Sequence, residues 1–110
     1  MKSIEPLTIS VHGPGDQVTI CVAGELDVFA VPQLWAAIRG VPALGAPVIV
    51  LDLEGITFID ARGIDTLVKA AIEVRERGGR LTIRRPSSVV VRMERLVGPP
   101  PDILALDQSG

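Results

Sequence analysis

The stretch Pro47-Val48-Ile49-Val50-Leu51-Asp52-Leu53 is apolar on both of its alternating faces over most of its length. A strand with one wet face alternates apolar and polar residues. A strand covered on each side, or lying beside parallel neighbours, has no wet face to mark and reads as a near-continuous apolar run. The stretch is also far short of the roughly 20 apolar residues that span a bilayer. It therefore predicts a mid-sheet strand with helices packed against the sheet, and the rest of the chain has to be compatible with that.

Residues 7–12 and 17–24 read as an antiparallel hairpin around the turn formers Gly13-Pro14-Gly15-Asp16. In the second of these strands Val18, Ile20 and Val22 share one face, and Thr19, Cys21 and Ala23 the other. Beyond Gly24-Glu25-Leu26-Asp27 the period changes. Val31, Leu34, Trp35 and Ile38 fall at i, i+3, i+4 and i+7, a short helix that Pro32 can start and Gly40 with Pro42 can end. Residues 42–47 are then a loop.

After the central strand, Ile64, Leu67, Val68, Ala71 and Ile72 mark a second helix, with Asp65, Lys69, Glu73 and Arg77 as an i, i+4 charged ladder and Gly78-Gly79 as its stop. Residues 80–85 read as a strand with Leu81 and Ile83 inward. Pro86-Ser87-Ser88 looks like a serine-capped helix start, and Val89, Met93, Leu96 and Val97 supply the third helix's stripe before Gly98-Pro99-Pro100-Pro101 breaks it. Ile103, Leu104 and Leu106 offer a last short strand or docking tail. The order strand, strand, helix, strand, helix, strand, helix predicts an α/β fold, a central mixed sheet of four to five strands flanked by helices.

Several function classes are excluded at this level. A chain of 110 residues fits one domain, here with a core over about residues 7–106. Its start lacks the apolar stretch and cleavage site of a secretory signal, so a soluble, cytoplasmic protein is expected. A single cysteine, Cys21, excludes an internal disulfide and a multi-thiolate zinc site, and its strand position reads as a buried small hydrophobe. The net charge of −2 gives no basic footprint for nucleic acid. His12 is the only histidine and lies at a strand end, no serine has an obvious base, and the glycine groups lack the ending of a phosphate loop. No enzyme, cofactor or metal is predicted.

In such folds, partners and ligands meet the loops at the carboxyl ends of strands and the helix N-termini that follow. Two acidic turns fall there, Glu25-Leu26-Asp27 and Asp60-Ala61-Arg62-Gly63, the latter continuing to Asp65. Asp60 is placed to cap the second helix. Arg62 breaks a local rule, since a cation in a first helical turn opposes the dipole by roughly 0.3–1 kcal/mol; it can reach Asp65, point into water or serve a partner. With more acids than bases in the two turns, a basic patch is expected on whatever binds them.

The strings Gly24-Glu25-Leu26-Asp27, Pro32-Gln33-Leu34, Val48-Ile49-Val50-Leu51-Asp52-Leu53, Thr57-Phe58-Ile59-Asp60-x-x-Gly63-Ile64, Gly78-Gly79-Arg80-Leu81 and Pro86-Ser87 together resemble a STAS domain of the bacterial anti-sigma factor antagonist type. The resemblance implies the STAS fold and a regulator that binds an anti-sigma factor, usually a serine kinase of the histidine-kinase-like ATPase fold, and so frees a sigma factor. It implies a partner surface built from Glu25, Leu26, Asp27, Asp60, Ala61, Arg62, Gly63 and Asp65. The family's phosphoacceptor is a serine or threonine directly after the aspartate that Asp60 matches, and here that position is Ala61. Phosphate would add about −1.5 to −2 charges at an interface, and alanine closes that route. Thr57 and Thr66 are weak alternative acceptors, and Ser87 and Ser88 read as caps. The competing reading is a STAS-type sensor or scaffold that binds a nucleotide or other small ligand.

Overall fold

The computed structural model describes residues 5–13, 17–41, 48–98 and 105–107. Thr8–His12 (β1) and Gln17–Leu26 (β2) form the expected hairpin, in antiparallel register from Thr8 opposite Ala23 to His12 opposite Thr19. Val31–Arg39 (α1) leads to Val48–Ile59 (β3), Ala61–Glu76 (α2) to Arg80–Arg84 (β4), and Ser88–Val97 (α3) to Ala105–Asp107 (β5). The strand order is β1-β2-β3-β4-β5, with every pair after the first parallel. The doubly apolar run therefore sits in mid-sheet: Ile49, Leu51 and Leu53 are fully buried, and Val50 and Asp52 are buried on the opposite face.

One face of the sheet carries the core. Val18, Ile20, Val22 and Leu26 of β2 meet Leu34 and Ile38 of α1 and Ile64, Leu67 and Val74 of α2, with Val90 of α3 joining them. Cys21 belongs to the other face and is half-buried rather than buried. It lines an open cavity of about 500 Å³ with Thr8, Ser10, Asp52 and Arg85.

Three departures from the sequence reading have physical causes. β3 is 12 residues long and runs to Ile59, past the Leu53 at which the apolar run stops, because Glu54-Gly55 is absorbed by a register shift against β2 between Cys21 and Ala23. A Cβ on Gly55 would stand 2.6 Å from that of Ala23, so glycine permits the close approach. Second, the buried stripe of α2 is rotated toward Ala70 and Val74, and Ile72 is exposed. Third, α3 docks through Val90 with Val89 and Met93 partly buried, whereas Leu96 is 73% exposed and Val97 is exposed beside it. Its last turn runs clear of the core.

The expected charged ladder also splits. Lys69 pairs with Asp65 at 2.8 Å, but Glu73 turns to α1 and takes two 2.9 Å bonds from Arg39, whose guanidinium lies 4.3 Å from the Trp35 ring centroid. The Arg39 hydrogen bond holds the Glu73 carboxyl below its usual range and raises Arg39 in turn. Ser87 occupies the N-cap of α3 as expected, yet its hydroxyl caps nothing and is buried without a hydrogen-bond partner among the described residues. The loop is fixed instead by the Ser87 N–H bonding to the Leu53 carbonyl at 3.2 Å. The expected loop at 42–47, hairpin residues 14–16, and Ile103 and Leu104, expected in a last strand or docking tail, lie outside the described residues.

Candidate functional site

Leu26 and Ile59, the last residues of β2 and β3, are register partners. Adjacent strands lie about 4.8 Å apart, so the two acidic turns leave one edge of the sheet side by side and feed the N-termini of α1 and α2.

Each turn is held by its aspartate. Asp27 Oδ1 accepts from the N–H groups of Phe29 and Ala30, both at 3.0 Å, while its carbonyl accepts from Ala30 and Val31. Asp60 is the N-cap of α2, in extended conformation, and its Oδ1 accepts from the Gly63 N–H at 2.9 Å. The Asp60 carboxylate thus satisfies a backbone donor that the start of α2 leaves open and faces the positive end of its dipole, whereas the Asp27 carboxylate closes the turn that precedes α1, whose N-cap is Ala30.

Two glycines permit the geometry. Gly24 has φ +100°, and a Cβ there would stand 2.3 Å from the Pro6 carbonyl oxygen; the segment before β1 crosses here, with the Glu25 N–H bonded to the Glu5 carbonyl at 3.1 Å. At Gly63 a Cβ would stand 2.5 Å from Ile59 Cγ1 and 3.3 Å from the Leu26 carbonyl oxygen, so glycine lets the first turn of α2 settle onto both strand ends.

The remaining predicted site residues divide by exposure. Ala61, Arg62 and Asp65 are exposed, and Glu25 and Asp27 half-buried. Leu26 and Gly63 are buried, so they support the surface from beneath and offer no side chain to a partner. Asp65 is engaged by Lys69, whereas Arg62 has no ion pair among the described residues. Thr66 is buried, and its hydroxyl donates to the Arg62 carbonyl at 2.9 Å, closing the first turn from within. Thr57 is exposed on β3 and donates to Glu5 Oε2 at 3.3 Å. Ser88 is exposed at the start of α3.

The sequence reading left three residues out of the site. Phe29 is 88% exposed, Val28 44% and Phe58 38%, and all three belong to this edge of the sheet. The sequence carries only a weak signal for them: the chain has two phenylalanines, and one stands two residues after an acidic turn.

A second polar group lies on the face away from the core. Arg85, the only described non-glycine residue with positive φ (48°), bonds Asp52 through both Nε and Nη2, and its Nη1 reaches Glu54 at 2.9 Å. These contacts, the Asp52 bond first, raise the Arg85 pKa above its ordinary value. Asp52 also accepts the Glu54 N–H at 3.1 Å. The group ties the β4–α3 loop to the irregular stretch of β3. Among the described residues no cluster could hold a metal ion, and no helix is long and apolar enough to cross a membrane.

A family model described as "Mlab, STAS domain" matches residues 9–99. The anti-sigma-B factor antagonist of Listeria monocytogenes is 26% identical over 83 residues, covering 76% of this chain and 73% of that protein. Among solved structures, the anti-sigma factor antagonist SpoIIAA in its unphosphorylated form is 25% identical with a TM-score of 0.72, over 93% of this chain and 90% of the other. An anti-sigma factor antagonist from Mycobacterium paratuberculosis superposes with a TM-score of 0.79 at 21% identity, over 99% and 92% of the two chains.

Proposed function

The chain belongs to the STAS domain family, and from that premise we propose that it is an anti-sigma factor antagonist that binds a serine-kinase anti-sigma factor without being switched by phosphorylation at the family position. The observation that carries this reading is Ala61. It is exposed, directly follows the capping aspartate, and stands at the paired ends of β2 and β3. A hydroxyl here would be open to a kinase, and its phosphate would meet the carboxylates of Asp60 and Asp65 within one helical turn. Alanine leaves the surface in a permanently unmodified state, so occupancy follows abundance and affinity.

In this reading Glu25, Asp27, Ala61, Arg62 and Asp65 face the partner, Asp60 shapes the turn, and Leu26 and Gly63 lie beneath. Thr66 is an unsuitable acceptor because it is buried and already bonded. The test compares the wild-type chain with Ala61→Ser and Ala61→Asp as baits in native extract, with captured proteins identified by mass spectrometry. Wild type and Ala61→Ser are expected to capture a kinase of the histidine-kinase-like ATPase fold, and Ala61→Asp to lose it. With the purified kinase and ATP, only Ala61→Ser is expected to take up phosphate. Failure of the wild type to capture such a kinase, or phosphate appearing on its own 57–66 segment, would overturn the proposal.

A further inference from the structure

We infer that Phe29, with Val28 next to it in the chain, is the anchor of this surface, and that the partner offers it an apolar pocket with a carboxylate at the rim for Arg62; this rests on the reading of the edge as an anti-sigma binding surface.

The argument begins with what the acids are already doing. One oxygen of Asp27 accepts two backbone N–H groups, one oxygen of Asp60 accepts the Gly63 N–H, and Asp65 is paired with Lys69. The acidic turns therefore present less free negative charge than their composition suggests. What stands unengaged is apolar and cationic. Phe29 is almost fully exposed, with the exposed Val28 next to it in the chain. Exposed apolar groups rimmed by polar residues mark protein interfaces, and aromatic residues with arginine dominate binding hot spots.

Phe29 is also held in place. Its own N–H and that of Ala30 bond the same Asp27 oxygen, so the backbone that carries the ring is already fixed before binding. Ordering an interface side chain costs affinity, and a pre-set anchor avoids part of that loss. Arg62 completes the pattern. It sits in the first turn of α2, where the helix dipole disfavours a cation, and has no ion pair among the described residues although Asp60 and Asp65 are close in sequence. An incoming carboxylate would relieve that position, which fixes the charge of the partner's rim.

The probe is the kinase captured by the wild-type chain, purified and titrated by calorimetry. Phe29→Ala is expected to weaken binding by roughly 30-fold or more, the hot-spot threshold, while Phe29→Leu retains most of the affinity. Arg62→Glu is expected to lose at least about tenfold, and Arg62→Lys to stay within a few-fold. Leu96→Ala, which truncates an exposed apolar residue on α3, is the control and should leave affinity unchanged. Thermal melts of each variant separate lost contact from lost fold. Binding that survives Phe29→Ala within about threefold, or that is strengthened by Arg62→Glu, overturns this inference and leaves the functional reading intact. A wild-type chain that binds no such kinase overturns both.

Discussion

Gly63→Ala is the sharpest perturbation of the site, because two opposing effects can be weighed from the structure. Inside an isolated helix the change would stabilise by about 1 kcal/mol, since alanine loses less conformational freedom. Here the new Cβ would stand 2.5 Å from Ile59 Cγ1, 3.1 Å from its Cδ1 and 3.3 Å from the Leu26 carbonyl oxygen. Ile59 is buried at the end of β3 and Leu26 is fully buried at the end of β2, so neither can swing into solvent. Inserting a methyl group into such packing costs roughly 1–3 kcal/mol, which outweighs the propensity gain except at the bottom of that range. The expected result is a net destabilisation of up to about 2 kcal/mol. In a domain of this size that lowers the melting temperature by roughly 4 °C per kcal/mol. A calorimetric melt reads this directly, and a double-mutant cycle with Ile59→Ala identifies the cause: removing the side-chain branch that clashes should make the pair less destabilised than the sum of the singles by at least about 1 kcal/mol. A Gly63→Ala protein as stable as wild type, with an additive cycle, would show that the α2 N-terminus is not wedged on the strand ends.

Asp60→Ala should cost about 1 kcal/mol because the Gly63 N–H loses its acceptor, whereas Asp60→Asn keeps a capping oxygen and should cost only a few tenths; equal melting temperatures for the two would remove the capping argument. Asp52→Ala strips Arg85 and the Glu54 N–H of a shared acceptor and should cost about 1–2 kcal/mol in urea titration, a range set low because Arg85 is half exposed. The Glu73 carboxyl is held below its usual value of 4.5 by Arg39. The stability it contributes is therefore present above about that pH and lost as pH falls through the depressed folded value. The melting temperatures of wild type and Glu73→Gln should thus converge once the pH has fallen through that depressed value, and also in high salt, where an exposed pair is screened; a gap that persists in strong acid would contradict the assignment.

Where residues face one environment along their whole length, their sequence pattern was enough to place them. Val48 to Leu53 lies in mid-sheet with both faces covered, and the alternation of Val18, Ile20 and Val22 marks the core face of β2. The period-based reading failed where tertiary packing overrides it. The apolar run stops at Leu53, but the strand continues through Glu54-Gly55 by a register shift that depends on Ala23, thirty-odd positions earlier, which no local pattern records. Leu96 and Val97 fit the α3 stripe by spacing, yet both are exposed, because α3 meets the core only through its first turns. At the site, the capping role of Asp60 was legible because a cap is a local motif. Phe29 was not, because exposure is a property of the whole fold and an isolated aromatic in a turn reads equally as core.

The first turn of α2 separates two demands that many binding surfaces place on the same residue. Asp60 and Gly63 carry the structural work, one by its oxygen and the other by its missing Cβ, and Ala61 between them points outward and touches neither task. A substitution at position 61 can therefore change what this surface offers while leaving the cap and the close approach beneath it intact.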